Sequence, residues 1–365
     1  MQDLISPKQI AATSGSISDA DLLRAAVPVP FALGPEFSSA AGPQWSEGPE
    51  ATITVDLPER VSSHELLIID ARPFAVGRHV RHQSLELSVD RQFSRDWTLL
   101  DGVGRRRAVM VERRNSGQGT RVEIGFRIKT CPAPNSPELS ENPCRRGIAI
   151  LGVRSAGVND PPSSESLIWQ LGRLVGAETQ KTFDQRIETG FWAKYVRGPN
   201  ILDIGFRGGE GGLVVPVLDG AIGVDIGYPG YDGRTLTFPD NSQDMVFSSH
   251  CLEHIPGHVK ALQEWHRVLK IGGHVIIVVP HAHLYERRRR PPSRWNTTHE
   301  RFYTPAALLS EVESALKPNS YRVRFCEEND AGYRYDSDPM LHAGGCYEVV
   351  LVLQKIVGPT WRIEE

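Results

Sequence analysis

Short apolar runs that alternate with polar positions fill the chain from residue 31 to about residue 157. Runs such as ATITVDL, HELLIIDARPF, SLELSVD and RVEIGFRI are rich in Val, Ile and Leu, and Gly, Pro, Asn or Asp separates them. Strands this short, with no helical periodicity between them, favour an antiparallel sandwich over a βαβ sheet. We therefore predict an all-β sandwich domain over residues 31–158, after a flexible lead-in over residues 1–30 that contains one helix capped by Ser18.

A different pattern begins after the linker-like segment NDPPSS at residues 159–164. Helical periodicity in SESLIWQLGRLVG and FDQRIETGFWAKYV precedes the apolar run NILDIG. Further on, VKALQEWHRVLK indicates a helix and HVIIVVP a strand, and TPAALLSEVESAL indicates a helix with Thr304 at its cap. This alternation predicts an α/β domain over residues 159–365.

The most informative stretch is NILDIGFRGGEGG, residues 200–212. A buried strand that carries Asp203 breaks at once into glycines, which let the backbone turn sharply and approach a ligand closely. The carboxylate of Asp203 is suited to orient the amides of this turn. The next apolar run, AIGVDI, ends at Asp225, and an acid at that strand end of nucleotide-binding α/β folds accepts hydrogen bonds from ribose hydroxyls.

These two runs, followed by FPDNSQDMVFSSHCLEHI and WHRVLKIGGHVIIVVP, resemble the motif series of class I S-adenosylmethionine-dependent methyltransferases of the type 11-like group, over about Phe183 to Lys355. The resemblance implies a Rossmann-like methyltransferase sheet that ends in a C-terminal antiparallel hairpin, formed by YRVRFCEEN and CYEVVLVLQKI, and it implies S-adenosylmethionine as the cofactor. The family usually reads D-x-G-x-G-x-G, whereas this chain has Arg207 in place of the second glycine. The stretch SPELSENPCRRGIAILGV resembles the last strand of small sandwich modules attached to bacterial polysaccharide-biosynthesis enzymes.

The resemblance also implies where the cofactor binds. After Asp225 the turn-rich YPGYDG takes the place of the usual helix, so Asp232 lies where relatives carry the acid that contacts the adenine amino group. Asp240 or Asn241 belongs to the same loop. For each of these side chains the alternative is that it accepts hydrogen bonds from the backbone of its own turn. The predicted cofactor-binding residues are Asp203, Gly205, Arg207, Gly209, Asp225, Ile226, Asp232, Asp240 and Ser249.

Methyl transfer to a hydroxyl requires a group that removes the proton, and histidine suits this best near neutral pH. His299 is the first candidate, since NTTHERFYT resembles the substrate-side N/D-x-x-H-x-R-x-x-T segment of methyltransferases attached to sugar-modifying systems. His281, directly after the HVIIVVP strand, is the second candidate, and a structural histidine is the alternative for both. Glu253 and His254 in CLEHI match a family pair for which we expect a positioning role. No spacing is diagnostic of a metal site, and we expect none.

Basic and aromatic residues are interleaved after that strand, in YERRRRPPSRWNTTHERFY. The arginines are suited to hold an anionic acceptor such as a nucleotide-sugar, and the aromatic rings to stack on sugar rings. The alternative is a solvated loop whose arginines pair with Glu286 and Glu300. The predicted substrate residues are His250, Tyr285, Arg287, Arg294, Trp295 and Tyr303.

Bulk composition narrows the function classes. A net charge of -3 gives no electrostatic footprint for nucleic acid. The five cysteines never form a C-x-x-C pair, which favours a reducing compartment. No apolar run approaches the length of a membrane span, and MQDLISPKQ lacks a signal-peptide pattern, so we expect a cytoplasmic protein.

The sequence therefore predicts an O-methyltransferase that acts on a sugar or glycan intermediate, in surface or exopolysaccharide biosynthesis. One alternative is a methyltransferase of a non-sugar small metabolite. Another is a degenerate methyltransferase that binds a glycan or a partner glycosyltransferase, which Arg207 and the replaced helix favour. The sandwich serves either glycan or partner binding, or structure and homo-oligomer formation. A nicotinamide dehydrogenase is disfavoured because the first turn lacks the G-x-G-x-x-G spacing.

Overall fold

The computed structural model of the chain describes residues 18–37, 44–73, 82–91, 93–100, 106–113, 119–129, 147–163, 165–206 and 214–361. The helices are α1 (Asp19–Ala25), α2 (Ala177–Glu188), α3 (Phe191–Tyr195), α4 (His258–Val268) and α5 (Pro305–Ala315). The first nine strands are β1 (Val27–Pro28), β2 (Phe31–Leu33), β3 (Glu50–Leu57), β4 (His64–Pro73), β5 (His82–Val89), β6 (Phe93–Leu100), β7 (Arg106–Glu112), β8 (Thr120–Ile128) and β9 (Ile148–Val158). The remaining strands are β10 (Ile201–Ile204), β11 (Ile222–Val224), β12 (Gln243–Ser249), β13 (Leu269–Pro280), β14 (Tyr321–Asn329) and β15 (Glu348–Lys355).

The first nine strands form two antiparallel sheets. Their orders are β1-β9-β4-β7 and β2-β3-β8-β5-β6. The alternation read from the sequence appears in the structure as alternate burial, so that Ile53 and Val55 of β3 point inward while Thr52 and Thr54 are less buried. The inward side chains of both sheets share one hydrophobic cluster, which includes Ile53, Val55, Leu67, Ile69, Leu85, Phe126 and Val153.

The third sheet has the strand order β11-β10-β12-β13-β15-β14. Its first four strands are parallel, and β15 runs antiparallel to both β13 and β14. This arrangement confirms the Rossmann-like sheet and its C-terminal antiparallel hairpin. The chain leaves β10 to one side for β11 and returns to the other side for β12, and ligands of such sheets bind at the carboxyl ends of the strands on either side of this reversal.

Helices cover both faces of the third sheet. The apolar sides of α4 and α5 pack on one face, around Trp265, Leu308 and Val312. On the other face, Phe183 of α2 and Trp192 of α3 pack against the strands. The inner strands β10, β12, β13 and β15 are therefore buried on both sides, as the continuous apolar runs predict, while the edge strand β14 is largely exposed.

One hydrophobic cluster joins the amino-terminal sheets to the third sheet. The outward face of β4, with Leu66 and Ile68, packs with α2, α3 and Phe247 of β12. Arg106 and Arg154 pair with Glu188 at the edge of this contact. Because β4 carries buried residues on both faces, it belongs to two hydrophobic clusters at once.

Residues 18–30 fall within the expected lead-in, yet they are packed against the rest of the chain. Ser18 caps α1, as predicted, and its Oγ accepts from the amide of Asp21 at 3.2 Å. Leu22 and Leu23 of this helix are buried in the cluster that joins the sheets, and β1 pairs with β9. This part of the lead-in is therefore folded, because α1 covers apolar surface next to α2.

Among the residues that the structure describes, no helix has the length and apolar character that crossing a bilayer requires.

We predict that Ile68→Ala destabilises the protein by about 2–5 kcal/mol, because the truncation leaves a cavity between the amino-terminal sheets and α2. Val61→Ala is the control, since Val61 is 85% exposed, and it is expected to change the free energy of unfolding by less than about 0.5 kcal/mol. Chemical denaturation measures both. Equal, small effects from the two substitutions would show that the cluster does not hold the parts of the chain together.

Candidate active site

The carboxyl ends of β10, β11 and β12 meet at one edge of the third sheet, the position of the ligand crevice in sheets of this kind. Gly205 follows β10 with φ +78°, and its amide donates to the carbonyl of Val224 at 2.8 Å. A Cβ atom on Gly205 would lie 2.4 Å from Sγ of Cys251, so only glycine fits between these two strand ends. Arg207 and Gly209 of the predicted glycine loop lie outside the described residues.

The two acids that the sequence singled out lie side by side at this edge, one on β10 and one after β11. Asp203 is buried, and its Oδ2 accepts from the amide of Val217 at 2.8 Å. Burial raises the pKa of Asp203 to about 7, and the nearby carboxylate of Asp225 acts in the same direction. Asp225 is half-buried and accepts from the amide of Ile226 at 2.7 Å. Ile226 is 76% exposed beside it and so offers apolar surface for a flat ring.

The loop from residue 225 to residue 241 consists of turns without a helix, as predicted. Asp232 accepts from the amides of Arg234 and Thr235 at 2.9 and 2.6 Å, and these backbone hydrogen bonds lower its pKa. Its carboxylate thus caps its own turn, the alternative left open by the sequence, while remaining exposed to solvent.

Asp240 takes a different position from the one predicted. It precedes the amino end of β12 and pairs with Arg267 at the end of α4. Glu264 of the same helix accepts from the amide of Leu236, so α4 fixes this part of the loop at the edge of the sheet opposite the crevice. The structure therefore does not bring Asp240 to the other predicted cofactor residues. Ser249, by contrast, ends β12 at the crevice, and among the described residues its buried Oγ has no hydrogen-bond partner.

Glu253 and His254 of the turn that follows β12 lie together with Glu286 and His299 of later segments, and we call these four residues the Glu253 cluster. The segment with His299 is bound to this turn through the backbone. Arg301 donates to the carbonyls of Leu252 and Ile255 at 2.9 and 2.7 Å. The amide of Glu300 donates to the carbonyl of Glu253 at 2.9 Å. These three hydrogen bonds bring His299 next to Glu253 although 46 positions separate them in the chain.

Within the cluster both histidines face one carboxylate. The Nε2 atoms of His254 and His299 lie 3.8 and 3.9 Å from Oε1 of Glu253. Their rings meet edge to face, with centroids 4.6 Å apart. Glu253 is fully buried, and burial raises its pKa. On its other nitrogen, His299 contacts Oε1 of Glu286 through Nδ1.

His250 adjoins the Glu253 cluster, with its Nδ1 4.0 Å from Oε1 of Glu253. It has φ +49° at the end of β12, and its Nε2 lies 3.4 Å from Oε1 of Glu348 on β15. Burial opposes its charged form, but the carboxylates of Glu348, Glu178 and Glu253 outweigh this and raise the pKa of His250. The three acids around His250 thus favour the protonated form of its ring.

His281, the second candidate base, is engaged at both ring nitrogens. Its Nδ1 accepts from the amides of His283 and Leu284 at 3.1 and 3.3 Å, where it caps the π-helical turn Ala282–Glu286. Its Nε2 lies 2.6 Å from Oε1 of Glu328. These contacts fit the alternative of a structural histidine. Because both ring nitrogens are engaged, His281 has no lone pair with which to take a proton from a methyl acceptor.

Aromatic side chains surround the mouth of the Glu253 cluster. The ring of Tyr285 lies 5.6 Å from that of His299 and 4.8 Å from that of Tyr347. Trp295 donates to the carbonyl of Tyr285 at 3.0 Å. Tyr303 is fully buried and donates to Glu311, so its ring lies in the core beneath α5 and not on the pocket surface.

The two arginines predicted to bind an anionic acceptor contact the loop between β14 and β15. Arg287 donates to the carbonyls of Asp338 and Leu341, both at 3.2 Å, and to the hydroxyl of Tyr333. Arg294 donates to the carbonyl of Pro339 at 3.1 Å. Both guanidinium groups thus hold two loops together, a role that neither of the two interpretations from the sequence included.

Several residues of the pocket were not identified from the sequence as site residues. Lys181 of α2 donates to the hydroxyl of Tyr347 at 2.9 Å, and Glu178, Glu286 and Glu348 supply the negative charge. One of the two interpretations of the sequence pairs Glu286 with the arginines of a solvated loop. The available signal was indirect: Glu348 stands at the start of the apolar run of β15, and a second Tyr-Glu pair, Tyr285 and Glu286, follows β13.

Comparison with known proteins gives a match for part of this half of the chain. Residues 223–277 match the family model of a methyltransferase domain. No curated protein matches the chain.

Several solved structures are similar to this chain. A SAM-dependent methyltransferase from Aquifex aeolicus is 17% identical, with 50% of this chain and 95% of that chain covered and a TM-score of 0.32. One from Archaeoglobus fulgidus is 18% identical, with coverages of 47% and 93% and a TM-score of 0.30. One from Mesorhizobium loti is 14% identical, with coverages of 49% and 99% and a TM-score of 0.32.

We predict that Asp225→Ala weakens binding of S-adenosylhomocysteine about ten- to a hundredfold, because the ribose loses hydrogen bonds to a charged acceptor. Isothermal titration calorimetry measures the dissociation constant. Asp240→Asn is the matched control, since Asp240 lies at the opposite edge of the sheet and its loss is expected to leave the affinity unchanged. An unchanged affinity of Asp225→Ala would show that the ribose does not bind at this strand end.

A second prediction concerns the pH dependence of stability. Because the pKa of Asp203 is about 7 in the folded chain and near 4 when unfolded, the protonated form stabilises the fold below pH 4, and this contribution is lost as the pH rises through 7. Asp203→Asn keeps the acceptor for Val217 and removes the titration. Between pH 5 and pH 8 the variant should therefore gain about 2–3 kcal/mol relative to the parent in the absence of cofactor. A pH-independent difference in urea unfolding would contradict this.

Proposed function

We propose that this chain, an S-adenosylmethionine-dependent methyltransferase, transfers the methyl group to a hydroxyl of a sugar or glycan intermediate. The methyltransferase domain match over residues 223–277 supports the activity and the cofactor. The observation that carries the choice of acceptor is the Glu253 cluster with its aromatic surround, at the carboxyl edge where the cofactor binds. Aromatic faces suit the apolar faces of sugar rings, and buried acids and histidines suit hydroxyl chemistry.

For the cofactor, we propose that Asp203 and the turn at Gly205 orient the amino-acid end and that Asp225 binds the ribose. The exposed side chain of Ile226 would then pack on the adenine ring, next to the turn of Asp232. Each of these groups lies at the carboxyl ends of β10 and β11, which is where the strand reversal opens the sheet.

The acceptor would lie beyond Cys251, which separates the two parts of the site. Gly205 touches Cys251 on the cofactor side, and Glu253 follows two residues later on the other side. Burial raises the pKa of the Cys251 thiol to about 12, and the carboxylates of Glu253 and Asp225 act in the same direction, so both acids lie near this sulfur. A sugar over the Glu253 cluster would thus be adjacent to the sulfonium of a donor bound at Gly205.

Catalysis would come mainly from holding the acceptor oxygen in line with the methyl group. When bound, S-adenosylmethionine supplies the activated methyl group. The Glu253 cluster would promote loss of the hydroxyl proton, and the aromatic rings would exclude water.

For the amino-terminal half, we propose a β-sandwich accessory domain over residues 31–158, with the methyltransferase domain at 159–365. Its large apolar contact with α2 and α3 favours a structural appendage over an independently moving module. We place the activity in exopolysaccharide or surface-glycan biosynthesis in the cytoplasm, on the resemblance of the stretch at residues 136–153 to the last strand of modules attached to such enzymes.

A non-sugar metabolite is the second candidate acceptor, since Lys181 and Arg186 also lie near the pocket and suit a small carboxylate. A screen of nucleotide-sugars, free sugars and small carboxylic acids, with S-adenosylhomocysteine release as the readout, separates the two. Turnover with a sugar hydroxyl supports the proposal. Turnover with carboxylic acids alone would replace it, and binding of the cofactor without any turnover would favour a binding module.

We expect His299→Gln to lower kcat by about a hundredfold or more, because the variant loses an imidazole of the cluster that is proposed to promote loss of the hydroxyl proton. Cofactor affinity should be unchanged, since His299 lies on the acceptor side of Cys251. His283→Gln is the control: His283 is exposed on the neighbouring turn and should keep full activity. Full activity of His299→Gln would show that the Glu253 cluster does not take part in the reaction.

A further inference from the structure

We propose that Glu253, His254 and His299 bind a divalent transition-metal ion. Two imidazoles and one carboxylate form a ligand set that suits zinc and other first-row divalent ions, and it leaves coordination positions open. The three residues were expected to act as a base and as positioning groups without metal. The structure brings their ligand atoms to within 4.8 Å of one another.

The geometry of the three atoms fits one small cation. Both Nε2 atoms face the same carboxylate oxygen, at 3.8 and 3.9 Å. A point equidistant from the three atoms lies about 2.5 Å or less from each, so small side-chain movements give the 2.0–2.2 Å typical of such ligands. Because two of the ligands come from one turn and the third from the segment that Arg301 fixes to it, their spacing is set by backbone hydrogen bonds.

The other ring nitrogens have the partners that metal-binding histidines require. Nδ1 of His299 contacts the carboxylate of Glu286. An ionised carboxylate can only accept a hydrogen bond, so this contact requires the hydrogen of the imidazole to be on Nδ1. Nδ1 of His254 lies 2.8 Å from Oγ1 and 3.2 Å from the carbonyl of Thr298. A proton on each Nδ1 leaves each Nε2 with its lone pair directed at the common point.

Glu253 supplies an independent observation. It is 0% exposed, and among the residues that the structure describes neither of its carboxylate oxygens has a hydrogen-bond partner. An ionised carboxylate without hydrogen bonds costs several kcal/mol to bury, and Nδ1 of His250, at 4.0 Å from Oε1, is too distant to form one. A metal ion between Oε1 and the two Nε2 atoms, which lie 3.8 and 3.9 Å from it, would satisfy all three ligands, whereas a proton on Glu253 would satisfy only one of the rings.

A cation here and a general base at His299 exclude each other, since both use the lone pair on Nε2. With the ion bound, the open coordination positions would receive acceptor oxygens, a consequence that rests on the proposed function. Binding of the ion itself does not depend on the identity of the acceptor, so it is tested without turnover.

The test is a titration of the chelator-treated full chain with Zn²⁺ by calorimetry, with Co²⁺ absorption as a second readout of ligand geometry. We expect one equivalent to bind. Glu253→Gln and His254→Gln should each weaken Zn²⁺ binding by about a hundredfold or more. Glu286→Gln should weaken it by about ten- to a hundredfold, because Glu286 contacts the metal ligand His299 and not the ion itself. His283→Gln should bind as the parent does.

Circular dichroism and the S-adenosylhomocysteine affinity of each variant show whether it is folded. Because 30% of the His254 side chain is exposed, we expect His254→Gln to fold as the parent does. No stoichiometric Zn²⁺ binding by the parent, or equal binding by folded Glu253→Gln and His254→Gln, overturns the proposal and leaves a protonated Glu253. Sugar methylation without metal binding would refute this inference alone. Metal binding without sugar methylation would refute the acceptor assignment alone.

Discussion

The burial of Glu253 is the constraint on which the acceptor side of this protein depends. A fully buried carboxylate is tolerated only when positive charge, a proton or hydrogen-bond donors lie beside it, and here the chain brings imidazole rings to it from separate segments. Arg301 fixes the segment that carries His299, Glu286 orients the ring, and the turn after β12 supplies His254. The loops that follow β13 and β14 then form the aromatic surround, so the shape of the pocket follows from how this one acid is accommodated.

The crevice on the other side of Cys251 follows from the sheet. Parallel β10, β11 and β12 place Asp203, Asp225 and Ser249 at one edge, and the contact between Gly205 and Cys251 allows these strand ends to come close. The donor and acceptor parts of the site therefore have different origins, one in strand order and one in long loops. They meet at a cysteine whose backbone follows the central strand β12.

Much of the fold could be predicted from the sequence because its signals are local. Alternating runs became antiparallel strands, continuous runs became strands buried on both faces, and Ser18 and Thr304 cap the predicted helices. The edge of the sheet that a loop residue reaches was harder to predict: Asp240 is close to Asp232 in sequence, but α4 binds it through Arg267 at the opposite edge.

The acceptor side was the least predictable part, because its contacts join residues far apart in the chain. Lys181, Glu286 and Glu348 converge from a helix, a turn and an inner strand of the sheet, and single residues of these types carry no periodic signal. Tyr303 looked like part of an aromatic surface but its hydroxyl pairs with Glu311 inside the core. The packing of α1 against the cluster that joins the sheets could not be predicted either, because the sequence of a seven-residue helix does not indicate which surface it packs on.

The central claim is that one edge of the third sheet holds the methyl donor beside the Glu253 cluster. A crystal structure of the chain with S-adenosylhomocysteine tests it most directly. The account predicts ribose hydroxyls on the carboxylate of Asp225 and the thioether sulfur on the side of Cys251 that faces Glu253 and His299. A ligand whose sulfur points away from the cluster, or whose ribose lies at another strand end, would contradict it.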